Sequence, residues 1–355
     1  MSMKTINRVL TEEPYKKMWD YFMYFESEET VKKILLEKYS YLDTLTAQTL
    51  AYHNTPKIIY YIKQARAYYK AAENSNILVK PLLLYYGMTS LSKSLININD
   101  PYYPKTTSVL RHGITTRKLK RAQYHFLDDE IKIQREGLFI LLNEMLGGSI
   151  LPNNKRFYVY ELMSVIPEIK DSYERLNRAS KVIPVNITQN YLNPRQTTLY
   201  IDPQVISLLD TSSDNLIHIL NKSNKNTKTE FSYPEDFNPN APYLKLLWEN
   251  KLGYHVLDEP LGFNNDFFIE DVNRRFYIRS KINKDINLPE ISIHFILMYI
   301  LGMLCRYESE RWGEIVLSSS TSDMFIINDY LNISMRKYPN MILNHLFNEL
   351  FLFIK

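Results

Sequence analysis

Several segments of this chain carry apolar residues at three- and four-residue spacing and begin near a proline, which restricts the possible folds more than any other feature. Such spacing places the apolar side chains on one face of an α-helix. Proline is favoured at the first helical position, because its missing N–H has no intrahelical partner there. Helices are therefore predicted to begin near Pro56, Pro81 and Pro289, and helical patterns also cover 14–39, 242–250 and 339–353.

Short runs of β-branched and aromatic residues predict a smaller β component between the helical segments. They lie at 182–187, 197–201, 267–269 and 276–278, and the last two are predicted to form a hairpin. Residues 221–240 are polar and contain two prolines, which predicts a loop. The expected fold class is mainly α with a minor β component (α+β).

The length of 355 residues exceeds that of most single-core domains, so we expect more than one structural region. We predict a helical N-terminal domain at 1–150 and a mixed middle region at 151–240. A hairpin followed by a helical C-terminal region is predicted at 241–355. The pattern leaves open whether the first and last helical parts share one core.

Composition and motif spacing disfavour several classes of protein. Nine glycines and the lack of G-x-G-x-x-G and G-x-x-x-x-G-K-[ST] sequences argue against a dinucleotide fold and a P-loop NTPase. The single cysteine, Cys305, excludes an intramolecular disulfide and a cysteine-based zinc site. The seven histidines lack metal-ligand spacing, and no G-x-S-x-G sequence occurs. The sequence thus favours a protein without metal, cofactor or catalytic activity, although it does not exclude an activity.

The most apolar stretch, 291–305, is shorter than the ~20 residues of a membrane-spanning helix. We predict that it is a core helix, with His294 as a core histidine, and we interpret His345 in the same way. The N-terminus lacks the successive regions of a signal peptide. A cytosolic location without membrane association is expected.

Positive residues are concentrated at 111–125, although the net charge of +4 is mild. Guanidinium groups match phosphate oxygens, and histidine adds pH-dependent contacts. Tyr85 and Tyr86 could add a stacking surface, but tyrosines at helical spacing more often lie in a core. The candidate ligand-binding residues are Arg111, His112, Arg117, Lys118, Lys120, Arg121 and His125.

A solvated basic face is the simpler interpretation of this segment, because Asp128, Asp129 and Glu130 follow it and could pair with its cations. Arg306 and Arg311, at the end of the helix predicted from Pro289, are explained by their favourable interaction with the helix dipole.

A ribonuclease is a second hypothesis for the same segment. Metal-independent ribonucleases of the HEPN class use an arginine a few residues before a histidine on one helix. Here three residues separate Arg121 from His125, which is too few for that class, and seven separate Arg117 from His125, which is too many.

Six short motifs carry a family resemblance. They are Tyr68-Tyr69-Lys70-Ala71-Ala72, Lys80-Pro81-Leu82-Leu83-Leu84-Tyr85-Tyr86-Gly87-Met88, His112-Gly113, Glu136-Gly137-Leu138-Phe139, Gly302-Met303-Leu304-Cys305-Arg306-Tyr307-Glu308 and Arg311-Trp312-Gly313-Glu314. Their order resembles the YaaC-like family of Bacillus-type bacteria, over about residues 15–350. Genes of that family often stand beside the gene for IMP dehydrogenase. The resemblance therefore implies a regulatory partner in purine nucleotide metabolism and a basic pocket for a guanine nucleotide or alarmone.

The leading hypothesis is a non-enzymatic regulator that binds a phosphorylated, guanine-type nucleotide and a protein partner, with IMP dehydrogenase as the candidate. The alternatives are a HEPN-like ribonuclease or phage-defence effector, for which nucleic acid is the ligand, and a scaffold protein without a ligand.

Overall fold

The computed structural model describes residues 3–116, 124–190, 192–282, 286–318 and 321–355. Helices hold 49% of the structure and strands 16%, which confirms the expected fold class. The helices are α1 (Pro14–Phe22), α2 (Glu28–Lys38), α3 (Thr44–Glu73), α4 (Lys80–Asn99), α5 (Leu138–Met145), α6 (Val159–Met163), α7 (Lys170–Arg175), α8 (Val205–Leu208), α9 (Ser213–Lys222), α10 (Glu290–Tyr307), α11 (Ser309–Leu317) and α12 (Asp323–Phe347).

The strands form three sheets among the described residues. They are β1 (Ile6–Leu10), β2 (Ile114–Thr116), β3 (Glu130–Ile133), β4 (Arg156–Tyr158), β5 (Val182–Gln189), β6 (Gln196–Ile201), β7 (Thr229–Ser232), β8 (Leu244–Asn250), β9 (Phe268–Glu270), β10 (Phe276–Arg279) and β11 (Leu350–Ile354). The largest sheet has the order β7-β8-β6-β5-β10-β9 and is antiparallel throughout. A second sheet has the order β2-β3-β4, and β1 pairs with β11 in parallel.

Buried apolar residues form two main cores. The larger, helical core contains residues from α1 to α7 together with residues from α10 to α12 and β11. The first and last helical parts of the chain therefore share one core, a point that the sequence left open. The smaller core lies under the six-stranded sheet and runs from Ile183 to Ile278.

Helix α10 lies at the centre of the helical core, in contact with α4 and α12. It is the one helix among the described residues that is long and apolar enough to cross a membrane by length and composition. Most of it is buried inside the protein, as predicted for the core helix at 291–305. Close packing against α4 depends on Gly302, because a Cβ there would lie 3.0 Å from the Cβ of Tyr85.

Two predicted helix starts were wrong, because both prolines lie inside longer helices. Helix α3 begins at Thr44, where the Asp43 carboxylate accepts a hydrogen bond of 3.0 Å from the backbone N–H of Thr46. Pro56 is exposed on α3, so the backbone carbonyl that loses its helical partner can bind water. Pro339 likewise lies inside α12, where it is buried.

The helix predicted at 242–250 is strand β8. Its buried residues Leu244, Leu246 and Trp248 alternate with more exposed ones, and this period of two is that of a strand. Strand β7 lies within the loop predicted at 221–240 and pairs with β8. Residues 350–354 are strand β11 rather than the end of a helix, because they pair with β1 from the opposite end of the chain.

The helical pattern predicted at 14–39 is divided into α1 and α2, and the other predicted elements are confirmed. Helix α4 begins at Lys80 and α10 directly follows Pro289. Strands β5 and β6 lie where the β-branched runs predicted them, and β9 and β10 form the antiparallel hairpin.

Candidate functional site

His112 lies in the turn that leads into β2, and the backbone of this turn is bound to the start of α5. The N–H of Leu138 donates to the carbonyl of Arg111 at 2.8 Å, and the N–H of Phe139 donates to the carbonyl of His112 at 3.0 Å. These bonds bring two of the sequence motifs, His112-Gly113 and Glu136-Gly137-Leu138-Phe139, into contact. They fix the position of the His112 backbone.

Gly137 allows this approach. Its φ of +144° is one that L side chains rarely adopt, and a Cβ there would overlap the backbone of Gly113. The turn at His112 therefore requires glycine at position 137.

The imidazole of His112 is held by tyrosines of the helical core. The hydroxyl of Tyr85 lies 2.5 Å from Nδ1 of His112, and the His112 ring centroid lies 5.3 Å from that of Tyr299. Burial raises the pKa of Tyr85 well above its ordinary value, so its hydroxyl stays protonated. When Tyr85 donates to Nδ1 of a neutral imidazole, Nε2 carries the remaining proton and is a donor.

Two cations act on this histidine through their charges. Burial lowers the pKa of His112, and the charges of Lys93 on α4 and Arg306 on α10 lower it further. His112 is therefore mostly neutral at pH 7. We call His112, Lys93 and Arg306 the His112 cluster.

Neutral partners hold both cations of the His112 cluster. Nη1 of Arg306 donates to the hydroxyl of Tyr86 at 2.8 Å, and Nζ of Lys93 lies 5.9 Å from the ring centroid of Tyr61. Burial lowers the pKa of Lys93. Within the described part of the chain, no carboxylate forms an ion pair with Lys93 or Arg306. The cluster thus carries two positive charges that these residues leave uncompensated.

The two tyrosines predicted as a stacking surface have different environments. Tyr85 is fully buried and contacts Phe295, Tyr299 and His112, so it positions the histidine from inside the core. Tyr86 is partly buried, and its ring centroid lies 5.6 Å from that of Tyr68 on α3.

The other predicted ligand-binding residues that the structure describes, Arg111 and His125, are not members of the His112 cluster. Arg111 is exposed, next to His112 in the chain. Nδ1 of His125 lies 3.8 Å from a carboxylate oxygen of Asp323, which also accepts a hydrogen bond of 3.0 Å from the backbone N–H of Phe126. Arg117, Lys118, Lys120 and Arg121 lie outside the described residues.

Sequence reasoning missed Lys93 as a site residue and interpreted Arg306 only through the helix dipole. No motif or charge pattern around Lys93 indicates a binding site, because it is a single lysine among apolar and small polar residues. Arg306 stands inside one of the motifs that carry the family resemblance, and that was the available signal. No group of three or more metal-ligating side chains occurs among the residues that the structure describes.

The fold and the cluster together describe an α+β protein with a half-buried, cationic, tyrosine-lined site and no metal-ligating group in its described part. The sequence profile of the YaaC-like protein family matches residues 23–346, so the chain belongs to that family. The searches found no significant match to a curated protein or to a solved structure.

Proposed function

We propose that this protein is a non-enzymatic regulator that binds a phosphorylated nucleotide of guanine type at the His112 cluster. One observation carries the proposal: the charges of Lys93 and Arg306 both act on the half-buried His112, and no carboxylate among the described residues forms an ion pair with either cation. Lys93 is partly buried and Arg306 is exposed, so an anion attracted by both charges would also offset the desolvation of Lys93. A phosphate group supplies that anion.

The three side chains offer complementary donors to phosphate oxygens. Arg306 presents a planar guanidinium, already oriented by its bond to Tyr86, and Lys93 presents a compact ammonium. His112 adds an N–H donor when Tyr85 donates to Nδ1. A bound phosphate should also raise the pKa of His112, because a nearby negative charge favours the imidazolium. Binding should therefore strengthen as the pH falls through the pKa of His112.

Isothermal titration calorimetry of the full chain with GDP and GTP tests this proposal. We expect binding that weakens about tenfold or more in Arg306→Ala, since a charge-assisted hydrogen bond contributes ~1.5–3 kcal/mol. Arg8→Ala is the control, because Arg8 is also an exposed arginine; it donates to the Leu257 carbonyl and lies 3.5 Å from the Asp258 carboxylate. No heat with any nucleotide at high protein concentration would reject the proposal.

The regulatory part of the proposal rests on the purine-metabolism context that the family resemblance implies. We propose IMP dehydrogenase as the protein partner. A pull-down from native cytosol, with and without added GTP, should recover that enzyme in a nucleotide-dependent amount. If the Arg306→Ala variant recovers the same amount of the enzyme with and without GTP, binding of the partner does not require the nucleotide, and only its response to GTP depends on Arg306.

One observation favours ribonuclease activity as a second candidate: His112 has a lowered pKa, to which the charge of Arg306 contributes. In the tautomer in which Nδ1–H donates to the Tyr85 hydroxyl, Nε2 is unprotonated and can take a proton from a ribose hydroxyl, and an arginine can stabilise the charge on the phosphate. Incubation of the purified protein with labelled RNA in the absence of metal tests this candidate. Cleavage that disappears in His112→Gln supports it, and intact RNA after prolonged incubation rejects it.

A further inference from the structure

A small cavity of about 130 Å³ lies beside the His112 cluster, at the end of α10. Typical pockets for a whole small ligand measure ~300–1,000 Å³. The cavity is therefore of a size for one ring system rather than for a complete nucleotide. The residues that matter for its chemistry are Asp129, Ile300, Met303, Tyr307, Glu308 and Arg311.

Asp129 places a buried carboxylate in the wall of this cavity. The residue is 3% exposed, and its carboxylate accepts hydrogen bonds of 2.7 Å from the Tyr124 hydroxyl and of 2.7 Å from the backbone N–H of Glu130. A carboxylate offers about four acceptor positions. The two bonds leave acceptor capacity for two further donors. Burial raises the pKa of Asp129, while the hydrogen bonds from Tyr124 and Glu130 and the charge of Arg311 act in the opposite direction.

The rest of the wall suits a flat, apolar-faced group. Ile300 and Met303 contribute apolar surface from α10. The Arg311 guanidinium lies 4.8 Å from the ring centroid of Tyr124, and its Nη1 lies 3.3 Å from the carboxylate of Glu308. These contacts fix the orientation of the guanidinium, and its charge acts on the Asp129 carboxylate.

The cavity and the His112 cluster are connected by two elements. Arg306 of the cluster directly precedes Tyr307 of the cavity, and its guanidinium lies 4.9 Å from the Tyr307 ring centroid. Strand β2 follows the turn at His112 and ends at Thr116, which lines the cavity.

We propose that this cavity is the base subsite of the nucleotide site, and that Asp129 selects a ring edge with two adjacent N–H donors. Guanine has such an edge in its N1–H and 2-amino groups, and its O6 and N7 are acceptors of the kind that arginine recognises. Adenine instead presents its ring N1 as an acceptor, which would face the Asp129 carboxylate. The inference rests on the proposed phosphate site at the His112 cluster and deepens it.

Calorimetry of the full chain with GDP, IDP, ADP and inorganic pyrophosphate tests the base subsite. GDP should bind most tightly, IDP more weakly because it lacks the 2-amino donor, and ADP most weakly. Asp129→Asn should weaken GDP binding about tenfold or more, because a charged acceptor becomes a neutral amide. It should leave pyrophosphate binding unchanged.

The control is Asp128→Asn, which changes a neighbouring carboxylate, half-exposed and 3.6 Å from Arg178. It should leave the order of nucleotides as in the natural protein. Met303→Trp, which fills the cavity from its apolar wall, should abolish the preference for GDP while pyrophosphate still binds. If Asp129→Asn does not fold, Met303→Trp still tests the base subsite.

The outcomes separate the two proposals. Equal affinities for GDP, IDP and ADP overturn the base subsite and leave the phosphate site standing. If neither nucleotide nor pyrophosphate binds, both proposals fail.

Discussion

Two histidines of the helical body, His112 and His294, show similar electrostatics in different surroundings. Burial and a neighbouring cation lower the pKa of each: Lys337 acts on His294, and Lys93 and Arg306 act on His112. His294 is fully buried, and its Nδ1 lies 2.9 Å from the Ser334 hydroxyl. His112 is half-buried and reaches the surface of the protein.

The cations beside the two histidines differ in how they are compensated. Nζ of Lys337 lies 2.6 Å from Glu168 and 2.5 Å from Glu290. Burial alone would lower the pKa of Lys337, but these two carboxylates raise it above its ordinary value. Lys337 also donates to the carbonyl of Glu270, and Glu168 accepts from the backbone N–H of Val272. This closed cluster joins the helical body to the β9–β10 hairpin.

The comparison teaches that a lowered histidine pKa does not by itself mark a binding site. In the closed cluster the protein supplies the anions, so the charges hold the structure together. In the His112 cluster the described residues supply cations and neutral tyrosines, and we propose that a ligand supplies the anion. The following predictions test this distinction, in order of decreasing effect on stability.

Lys337→Met should give the largest effect. It leaves Glu168 and Glu290 buried without their cation, and breaking a buried ion pair costs about 3–5 kcal/mol of unfolding free energy. Urea denaturation measures the loss. Lys105→Met is the control, because Lys105 forms an exposed pair with Asp100 and such pairs contribute ~0–1 kcal/mol. Similar losses in the two variants would contradict a structural role for the closed cluster.

Gly137→Ala should lower the unfolding free energy by about 3 kcal/mol, through strain at its φ and overlap with Gly113. It should also weaken nucleotide binding, because the turn that carries His112 must shift. Gly147→Ala is the matched control: Gly147 has a φ of +77°, but a Cβ there meets no atom within 4 Å. The control should lose only ~1–2 kcal/mol and should bind nucleotide normally.

His294 should make the protein sensitive to acid. Its folded-state pKa lies below its unfolded value, so below pH ~6.5 the unfolded chain gains a proton that the folded protein does not. Stability should fall by up to ~1.4 kcal/mol per pH unit as the pH decreases below that value. The variant His294→Asn lacks this contribution.

Denaturation of both proteins between pH 7.5 and pH 5.5 (roughly one unit either side of the free histidine pKa) tests the sign. The carboxyl of Glu290, 4.0 Å from His294, has a pKa raised by burial and acts in the opposite direction in both proteins. The natural protein should therefore lose more stability on acidification than His294→Asn. Parallel curves would argue that His294 is not the responsible group.

Lys93→Met should have the smallest effect on stability, within about 0.5 kcal/mol of the natural protein or slightly stabilising. Lys93 is partly buried and its pKa is lowered, so its removal relieves a desolvated charge. Binding of GDP should nevertheless weaken. A large loss of stability in thermal unfolding would show that the His112 cluster is structural, like the closed cluster.

Local patterns predicted much of the helical body and little of the pairing between distant segments. Apolar periodicity located α4 and α10, because each buries a face defined by residues close in sequence. Apolar periodicity failed at β8. Pro242 suggested a helix start there, although the buried residues of this segment alternate as in a strand. It also failed at β11, whose partner β1 lies at the other end of the chain.

The candidate site was predicted in part. His112 was identified from the basic segment. Tyr85 was predicted to stack on a ligand, whereas in the structure its hydroxyl contacts His112 and positions it. Lys93 could not be identified, because nothing in the sequence around it indicates that it lies near His112. The sequence motif at 302–308 contained Arg306 without indicating what it contacts.

The sequence by itself determined the α+β class, the family and the apolar faces of the main helices. It did so because helix periodicity and short motifs are properties of neighbouring residues. Only the tertiary structure decided that the first and last helical parts share one core. It also decided that the charges of Lys93 and Arg306 act on His112 while Lys337 is paired with two carboxylates. Those contacts depend on how α4, α10 and α12 pack, and packing between helices far apart in sequence is not encoded in any local pattern.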